Sequence, residues 1–575
     1  MRTLLTLQSF CSLLAYPSIG VALASRKQWV ATHVCEDAVA RAQSGDLGEN
    51  LGTSRRMRSE IITRTKGYGL RALALSVVLA GTSSAGSQPI FYEEVPYTAP
   101  ESFEVYRPPL FTKKVANLIC SASFVSSVAT RIPTNENQLE FWCRDPSKPI
   151  DLKWERIPTP SAILSQAQIA NFKGTLIEER SRQAFVNGRW IPLAEAFPRL
   201  ANSPIQWQRF GAEGKLATVT YREECRAYVL SSAKYDFGAF PALPSYARID
   251  NGHVYFVDRS GLSIAPLTPV QNACEPLSAS LLKEGVGQAY GGINWGGGVV
   301  LGGSNNRGNA NLYLLKGNEV TEISYSNSES VANEHYAYTY QDGSLLVGLY
   351  PSGNFMRLDE GGQFTYHGDM TPTLPTDWRS DNGMLYREAQ AAVSSYGILF
   401  TGLYPWGEIV QHDTLAGRTS RDRLFTHPER KDRLPYLYES GNLFRRLQAG
   451  DFDEDIKAGR IVLDKEQGGF KFAARKYGLF ESAWAQRITT LAVFSGRVCA
   501  ATGSMGGTVY NPDLHNFMTR AQADDYGTIY CAELPNHTMY SDVLTGTHSL
   551  KFTVSESITI SMDGKVVAET PITAW

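Results

Sequence analysis

The sequence predicts an all-β fold, a β-propeller of about seven blades with five or six as the alternatives, and three observations carry that expectation. First, one unit occurs twice without a gap: Gly343-Ser-Leu-Leu-Val-Gly-Leu-Tyr-Pro-Ser-Gly-Asn-Phe-Met-Arg-Leu-Asp359 and Gly397-Ile-Leu-Phe-Thr-Gly-Leu-Tyr-Pro-Trp-Gly-Glu-Ile-Val-Gln-His-Asp413. An apolar strand, a glycine turn and a second strand recurring at about 50 residues is what blades set around an axis require. Second, Gly (50), Tyr (28), Phe (25) and Trp (10) are plentiful while charged residues make up only 19%, a mix suited to twisted strands and tight turns. Third, helical periodicity is almost absent, with weak traces only at 161–172 and 420–433.

In chain order, two segments compete as an export leader. Residues 1–56 read as an over-extended start or a pre-segment, although 1–25 carry Arg2, an apolar run and Ala22-Leu-Ala24. Residues 57–86 form the better signal peptide, with Arg58, Arg64, Lys66 and Arg71 before the apolar core 72–80 and Ser83-Ser-Ala85 after it. Neither core reaches the roughly 18–20 apolar residues that cross a bilayer. The expectation is therefore a secreted or periplasmic protein that begins near Gly86.

Residues 87–170 are rich in proline and aromatics and read as an entry strand plus surface wrapping. Residues 171–540 form the propeller. Its strand pairs include Gln183–Leu193, broken by the two-residue turn Asn187-Gly188, then 216–230 and Asp250–Ile264. The unit returns at Gly297–Gly303, in the two central copies, and at Ser495–Gly503. The interval 413–482 has room for one irregular blade. Residues 541–575 supply two or three strands with Asp563-Gly564 as a hairpin turn. These are expected to complete the closing blade beside strands near 90–120, because a propeller must cover its first and last edges; a small jelly-roll appendage is the alternative.

Setting aside Cys11 and Cys35, six cysteines remain: Cys120, Cys143, Cys225, Cys274, Cys499 and Cys531. Six allow 15 pairings, among which sequence does not choose. Nearest-neighbour pairing would close loops of blade size or less, in keeping with an oxidising compartment. No cysteine or histidine spacing suits zinc, so neither metal nor cofactor is expected. A formal charge of −2 gives no field that would favour nucleic acid or an anionic membrane. Oligomeric state is not legible.

The repeats resemble β-propellers in general, over roughly 170–530. They lack sialidase Asp boxes, W-D dipeptides at blade ends and a kelch double-glycine pattern, so no specific family is recognised and fold alone assigns no reaction.

Chemistry in a propeller gathers where the innermost strands enter the channel. Aligning the turn glycines Gly297, Gly343, Gly397 and Gly496 brings Gln288, Glu334, Glu388 and Arg487 to one equivalent position. Beside them lie Tyr290, His335, Tyr336, Arg387, Gln486 and Trp484. A solvated loop is the ordinary reading of such residues. Glu334, Glu388, Arg487, His335 and Tyr336 are nevertheless the candidate catalytic group, combining carboxyls, an imidazole titrating near neutrality and a phenol. Gln288, Tyr290, Arg387, Tyr350, Tyr404, Trp406 and Trp484 are the candidate substrate-binding residues. Within these, Tyr350-Pro351 and Tyr404-Pro405 would line one mouth, with Trp406 exposed in the turn; turn packing is the plainer role for them. His253, His367 and His412 read as surface or hairpin histidines.

A basic insertion (Arg418, Arg421, Arg423, Arg430, Lys431, Arg433, Arg445, Arg446) is interspersed with acids, so local pairing is the default. Its surplus of arginine suits carboxylate or sulfate groups. The function expected is binding, with processing, of an extracellular polysaccharide, with acidic ones included. The reaction would be a lyase's, with His335 or Tyr336 as base and Arg387 or Arg487 as neutraliser, or a hydrolase's, with Glu334 and Glu388. A non-catalytic scaffold is the alternative. The six mature cysteines should be oxidised: thiol counting on unfolded, unreduced protein should find fewer than one reactive group per chain, and finding most of the six reactive would contradict it.

Overall fold

The structure is a computed structural model, and it describes residues 91–98, 109–160, 165–200, 207–210, 215–304, 311–323, 334–359, 364–367, 387–427, 450, 453–457, 484–505, 507, 509–513, 515, 517–541 and 547–573. Residues 85–575 belong to one compact unit. The leader, the basic residues Arg430, Lys431, Arg433, Arg445 and Arg446, and the side chain of His367 lie outside the described residues.

The described strands form seven four-stranded antiparallel blades. In chain order these are blade 1 (Ile169–Pro192), blade 2 (Trp207–Ala239), blade 3 (Tyr246–Lys283), blade 4 (Gln288–Ile323), blade 5 (Glu334–His367), blade 6 (Glu388–Arg423) and blade 7 (Gln486–Glu533). From blade 2 to blade 7 the inner strands of successive blades pack side by side, and the seventh meets the first. The turns at Asp342-Gly343, Tyr396-Gly397 and Ser495-Gly496 each place two residues at positive φ, the turn whose twist matches that of paired strands. Glycine takes the second place because a side chain there is strained. The segment 418–423, read as part of an irregular blade or a weak helix, is the outer strand of blade 6.

The ring closes in an unexpected way. The fourth strand of blade 7 is Glu155–Arg156, which precedes blade 1 in the chain and pairs with Tyr530 and Cys531. The C-terminal strands do not join that blade. Thr547–Val554, Ser557–Met562 and Lys565–Pro571 instead make a separate sheet whose other edge is Phe91–Thr98. The alternation of Leu550, Phe552, Val554, Ile558 and Ile560 gives this sheet one apolar face, which needs a second layer to cover it. That layer is the base of a long hairpin, Leu118–Ala129 and Ile132–Arg144, flanked by Phe111–Val115 and His537–Tyr540. Phe91, Phe111, Phe141 and Phe552 meet there at ring-centroid distances of 5.1–6.1 Å.

The upper half of that hairpin fills the axis of the propeller, so the segment expected as surface wrapping is a plug. It contacts inner strands of blades 1, 2, 4, 5, 6 and 7, and Glu136 reaches Arg248 of blade 3 at 3.7 Å. Ala129, Val128 and Ser127 pair directly with Ala337, Tyr338 and Thr339 of blade 5. Elsewhere the free edges of the inner strands are met by side chains. Asn135 accepts from Val493 N at 3.0 Å and donates to Val493 O at 2.9 Å, and Gln138 donates to Asn171 O at 3.0 Å. Buried peptide groups need such partners, which is why Ser127, Thr134, Asn135, Gln138 and Glu140 are polar yet almost inaccessible. At the base, Arg144 grips Asp413 of blade 6 through paired hydrogen bonds of 2.6 and 3.0 Å.

Three disulfides follow the nearest-neighbour pattern. Cys120–Cys143 crosses the base of the plug, Cys499–Cys531 links neighbouring strands of blade 7, and Cys225–Cys274 ties blade 2 to blade 3. Among the described residues no helix is long and apolar enough to cross a membrane.

Replacing Asn135 by Ala should lower stability by about 2 kcal/mol, because Val493 N is left buried without an acceptor. Urea midpoints of the two proteins measure this, and a difference below about 0.5 kcal/mol, the ordinary scatter of surface changes, would contradict the plug's role.

Candidate functional site

The plug ends at Thr130-Arg131, and the aligned residues gather around that tip. Gln288, Glu334, Glu388 and Arg487 face Ser304, Tyr350, Tyr404 and Gly503 across their ladders, the same station in four blades. Two residues further on, each inner strand bulges, at Tyr290, Tyr336, Gln390 and Thr489. A bulge turns local peptide groups out of the ladder. Two of those carbonyls hold the tip: Thr130 N donates to Tyr336 O at 2.9 Å and Arg131 N to Tyr290 O at 2.6 Å. The plug is thus the floor of a recess whose rim is the aligned set.

Within the recess, Arg487 Nη2 lies 3.1 Å from Glu388 Oε2, and its guanidinium sits 4.6 Å above the Tyr404 ring. Tyr336 donates its hydroxyl to Glu334 Oε2, and it lies close enough to Glu388 to act on its titration. Ser304 serves both Glu334 and Tyr290. The rings of Tyr290 and Tyr336 stack at 5.2 Å and 29°. From blade 1, Arg180 donates to Gln166 Oε1 at 2.5 Å and to Gln168 Oε1 at 3.1 Å, close enough to Arg487 for the two cations to repel.

The electrostatics follow from burial. Glu388 is pushed up to about 7, chiefly by desolvation; Arg487 opposes this and the charge of Glu334 reinforces it. Glu334 is raised for the same first reason. Desolvation likewise lifts Tyr290 to about 12 and Tyr336 well above its ordinary value. Tyr336 has one hydroxyl proton, and Glu334 receives it.

Several residues named from the sequence stand elsewhere. His335 follows Glu334 by one residue, so it points to the opposite side of the strand. There it is fully buried against Gly302 and its imidazole is pushed down to about 4 by desolvation. Arg387 is also buried, donating to Ser352 O at 2.8 Å and clamping the turn after Tyr350. Trp406 is not exposed in its turn but 4% accessible, and Trp484 is fully buried against Tyr510, His515 and Tyr526. Gln486 is buried too, donating to His427 O at 2.8 Å. Tyr350 packs beside Tyr336, and Tyr404 lies under Arg487 with its hydroxyl on Met505 Sδ at 3.1 Å; both precede cis prolines, Pro351 and Pro405. Of the basic insertion, Arg421 and Arg423 pair with Glu408 at 3.4 and 2.8 Å, and Arg418 donates to Pro146 O and Lys148 O.

No family model matches the chain, and no curated protein sequence does. Among solved structures, a streptogramin B lyase is similar at 12% identity over 48% of this chain and 88% of its own, with a TM-score of 0.32. A catalytically inactive virginiamycin B lyase from Staphylococcus aureus, with Quinupristin, is similar at 10% identity over 67% of this chain and 100% of its own, TM-score 0.33. Regucalcin, a calcium-binding protein from Agrobacterium tumefaciens, is similar at 10% identity over 68% and 97%, TM-score 0.28. These are β-propeller proteins; at this distance they carry no argument about chemistry.

Arg131 and Arg180 were invisible to the repeat register, since one belongs to the plug and the other to a blade too short to align. The only sequence signal for the first was a pair of unusually long strands around Thr130-Arg131.

Folding takes up a proton at Glu388, because its carboxyl titrates near 7 in the folded chain against an ordinary 4.5. Its contribution to stability is complete below about pH 4.5 and is lost as pH rises through about 7. Glu388→Gln should therefore flatten the fall in stability across that interval, by up to roughly 3 kcal/mol. Denaturant titrations at a series of pH values measure this, and an unchanged slope would contradict it.

Proposed function

We propose that this is an exported propeller whose plugged recess binds a polysaccharide and hydrolyses it with Glu388 as proton donor and Glu334 as its partner carboxylate. The observation that carries the reading is the gathering of two carboxyls about one phenol, Tyr336, which donates to Glu334 and acts on Glu388, the carboxyl pushed up to about 7. Pairs of carboxyls whose environments set different protonation states are the recurring device of glycoside hydrolysis. In the retaining course one carboxylate attacks the sugar and the other first gives and then takes a proton.

In that scheme Glu388 protonates the departing glycosidic oxygen. Glu334, the more accessible carboxyl, meets the developing positive charge on the sugar. Arg487, already 3.1 Å from Glu388, stabilises it once it ionises and holds it ready to accept a proton from water. Tyr290 offers its ring and hydroxyl to a sugar. A lyase course is less well supported, because His335 is on the far side of the strand and a phenol raised far above its ordinary range is a poor base. Non-catalytic binding is favoured by one observation: the Glu388 side chain is only 4% exposed. Export is supported by the signal-like segment 57–86 and by the three disulfides.

The test is to offer a panel of neutral and acidic polysaccharides, following reducing ends and unsaturated uronate separately. Reducing ends should appear without unsaturation, and Glu388→Gln should lower kcat about a hundred- to ten-thousand-fold. Unsaturated product would favour the lyase course, and binding without turnover would favour a scaffold.

A further inference from the structure

At every other place among the described residues where two successive residues take positive φ, the second is glycine: Gly174, Gly188, Gly252, Gly297, Gly343, Gly397, Gly496 and Gly564. The tip of the plug is the exception. There Thr130 (φ 43°) and Arg131 (φ 74°) hold the same turn, although a β-branched residue and a long side chain are both strained in it. A turn that keeps the wrong residues for its own geometry keeps them for something else.

What the arginine does within the fold is slight. Its Nε donates to Ala289 O at 3.1 Å, and its guanidinium lies 5.3 Å from the centre of the Tyr290 ring. Among the described residues it has no carboxylate in ion-pair contact; the charges that act on it are the phenols of Tyr290 and Tyr336. Every other arginine of the recess is occupied, Arg487 by Glu388 and Arg180 by two glutamines. A half-buried cation of this kind has lost part of its hydration without gaining a counter-ion. It gains most from an anion brought by a ligand, which it can grip by paired hydrogen bonds.

We infer that Arg131 is a specificity residue, and that the recess selects a sugar bearing an anionic group, a uronate carboxylate or a sulfate ester, which Arg131 receives at the floor. This rests on the saccharide reading and names its substrate class. The site lies beside Tyr290, whose ring centre is 5.3 Å from the guanidinium, so a bound anion would also fix how the sugar lies in the recess.

Calorimetric titration of the whole mature protein is the test. The probes are a galacturonate oligomer with its carboxyl-reduced counterpart, and a sulfated galactan oligomer with its desulfated counterpart. The wild-type protein should bind one anionic member at least tenfold more tightly than its neutral partner, and which pair does so tells carboxylate from sulfate. Arg131→Gln should remove that preference, lowering affinity for the anionic member about ten- to a hundredfold and leaving the neutral one within twofold; Arg131→Lys should keep part of it. Arg131→Gly should abolish the preference while leaving the melting temperature unchanged or raised, since glycine relieves the turn; a residue kept for the fold would lower it. Neutral and anionic members bound equally by the wild type, or both lost equally in Arg131→Gln, would overturn this inference and leave the saccharide reading standing. No binding of any member would overturn both.

Discussion

Asn135, through its two hydrogen bonds to Val493, stands for the constraint on which the whole molecule depends: the inner edges of seven blades must be satisfied by protein. In an open channel water would do this. Here a two-stranded ribbon occupies the axis, so each peptide group it covers needs a partner of matching sense. Blade 5 receives backbone pairing from Ser127–Ala129, blade 4 the Arg131 N–H, and blades 7 and 1 the side chains of Asn135 and Gln138, while Glu136 and Thr130 meet side chains of blades 3 and 6. A buried polar set of this kind is costly when incomplete and rigid when complete. The recess inherits that rigidity, because its floor is the end of the same ribbon.

The charge arrangement at the floor has a single physical origin. Closing the channel makes the station of Glu334, Glu388 and Arg487 the end of a blind recess with low access to water. Desolvation then dominates every titration in it, raising the carboxyls and phenols together, and the one close cation, Arg487, only moderates the shift at Glu388. An open channel would have left these groups hydrated and near their ordinary values.

Much of the ring was legible in the sequence because blades repeat. The turn glycines set a common register, and counting back from them found the equivalent residues in four blades. The same device could not find blades 1 to 3, whose inner strands are shorter and lack the repeated sentence. Period-2 alternation was the second legible rule, and it separates His335 from Glu334 and Tyr336 as the strand geometry demands. Burial was less legible: Trp406 looked like a mouth residue because it adjoins a Tyr-Pro turn, and Arg387 like a site residue because it precedes Glu388, yet both are buried. The plug was hidden for a different reason. Its strands alternate polar and apolar residues as a solvated sheet would, since it meets polar strand edges on one side and aromatic cores on the other. Nor could spacing show that a two-residue strand, Glu155–Arg156, closes the ring in place of the C-terminal strands.

The place of the hairpin in the chain has a consequence for how the molecule comes together. Among the described residues it is the first large element to be made, and all seven blades follow it. The sheet that grips its base is finished only by the last strands, through pairs such as Phe91 with Val554. The blades are therefore wound onto a spindle already present. Bringing the two ends of a long chain together carries a loop-closure cost, and here those contacts lock the spindle in place, so the ring and the lock on its axle depend on different parts of the chain.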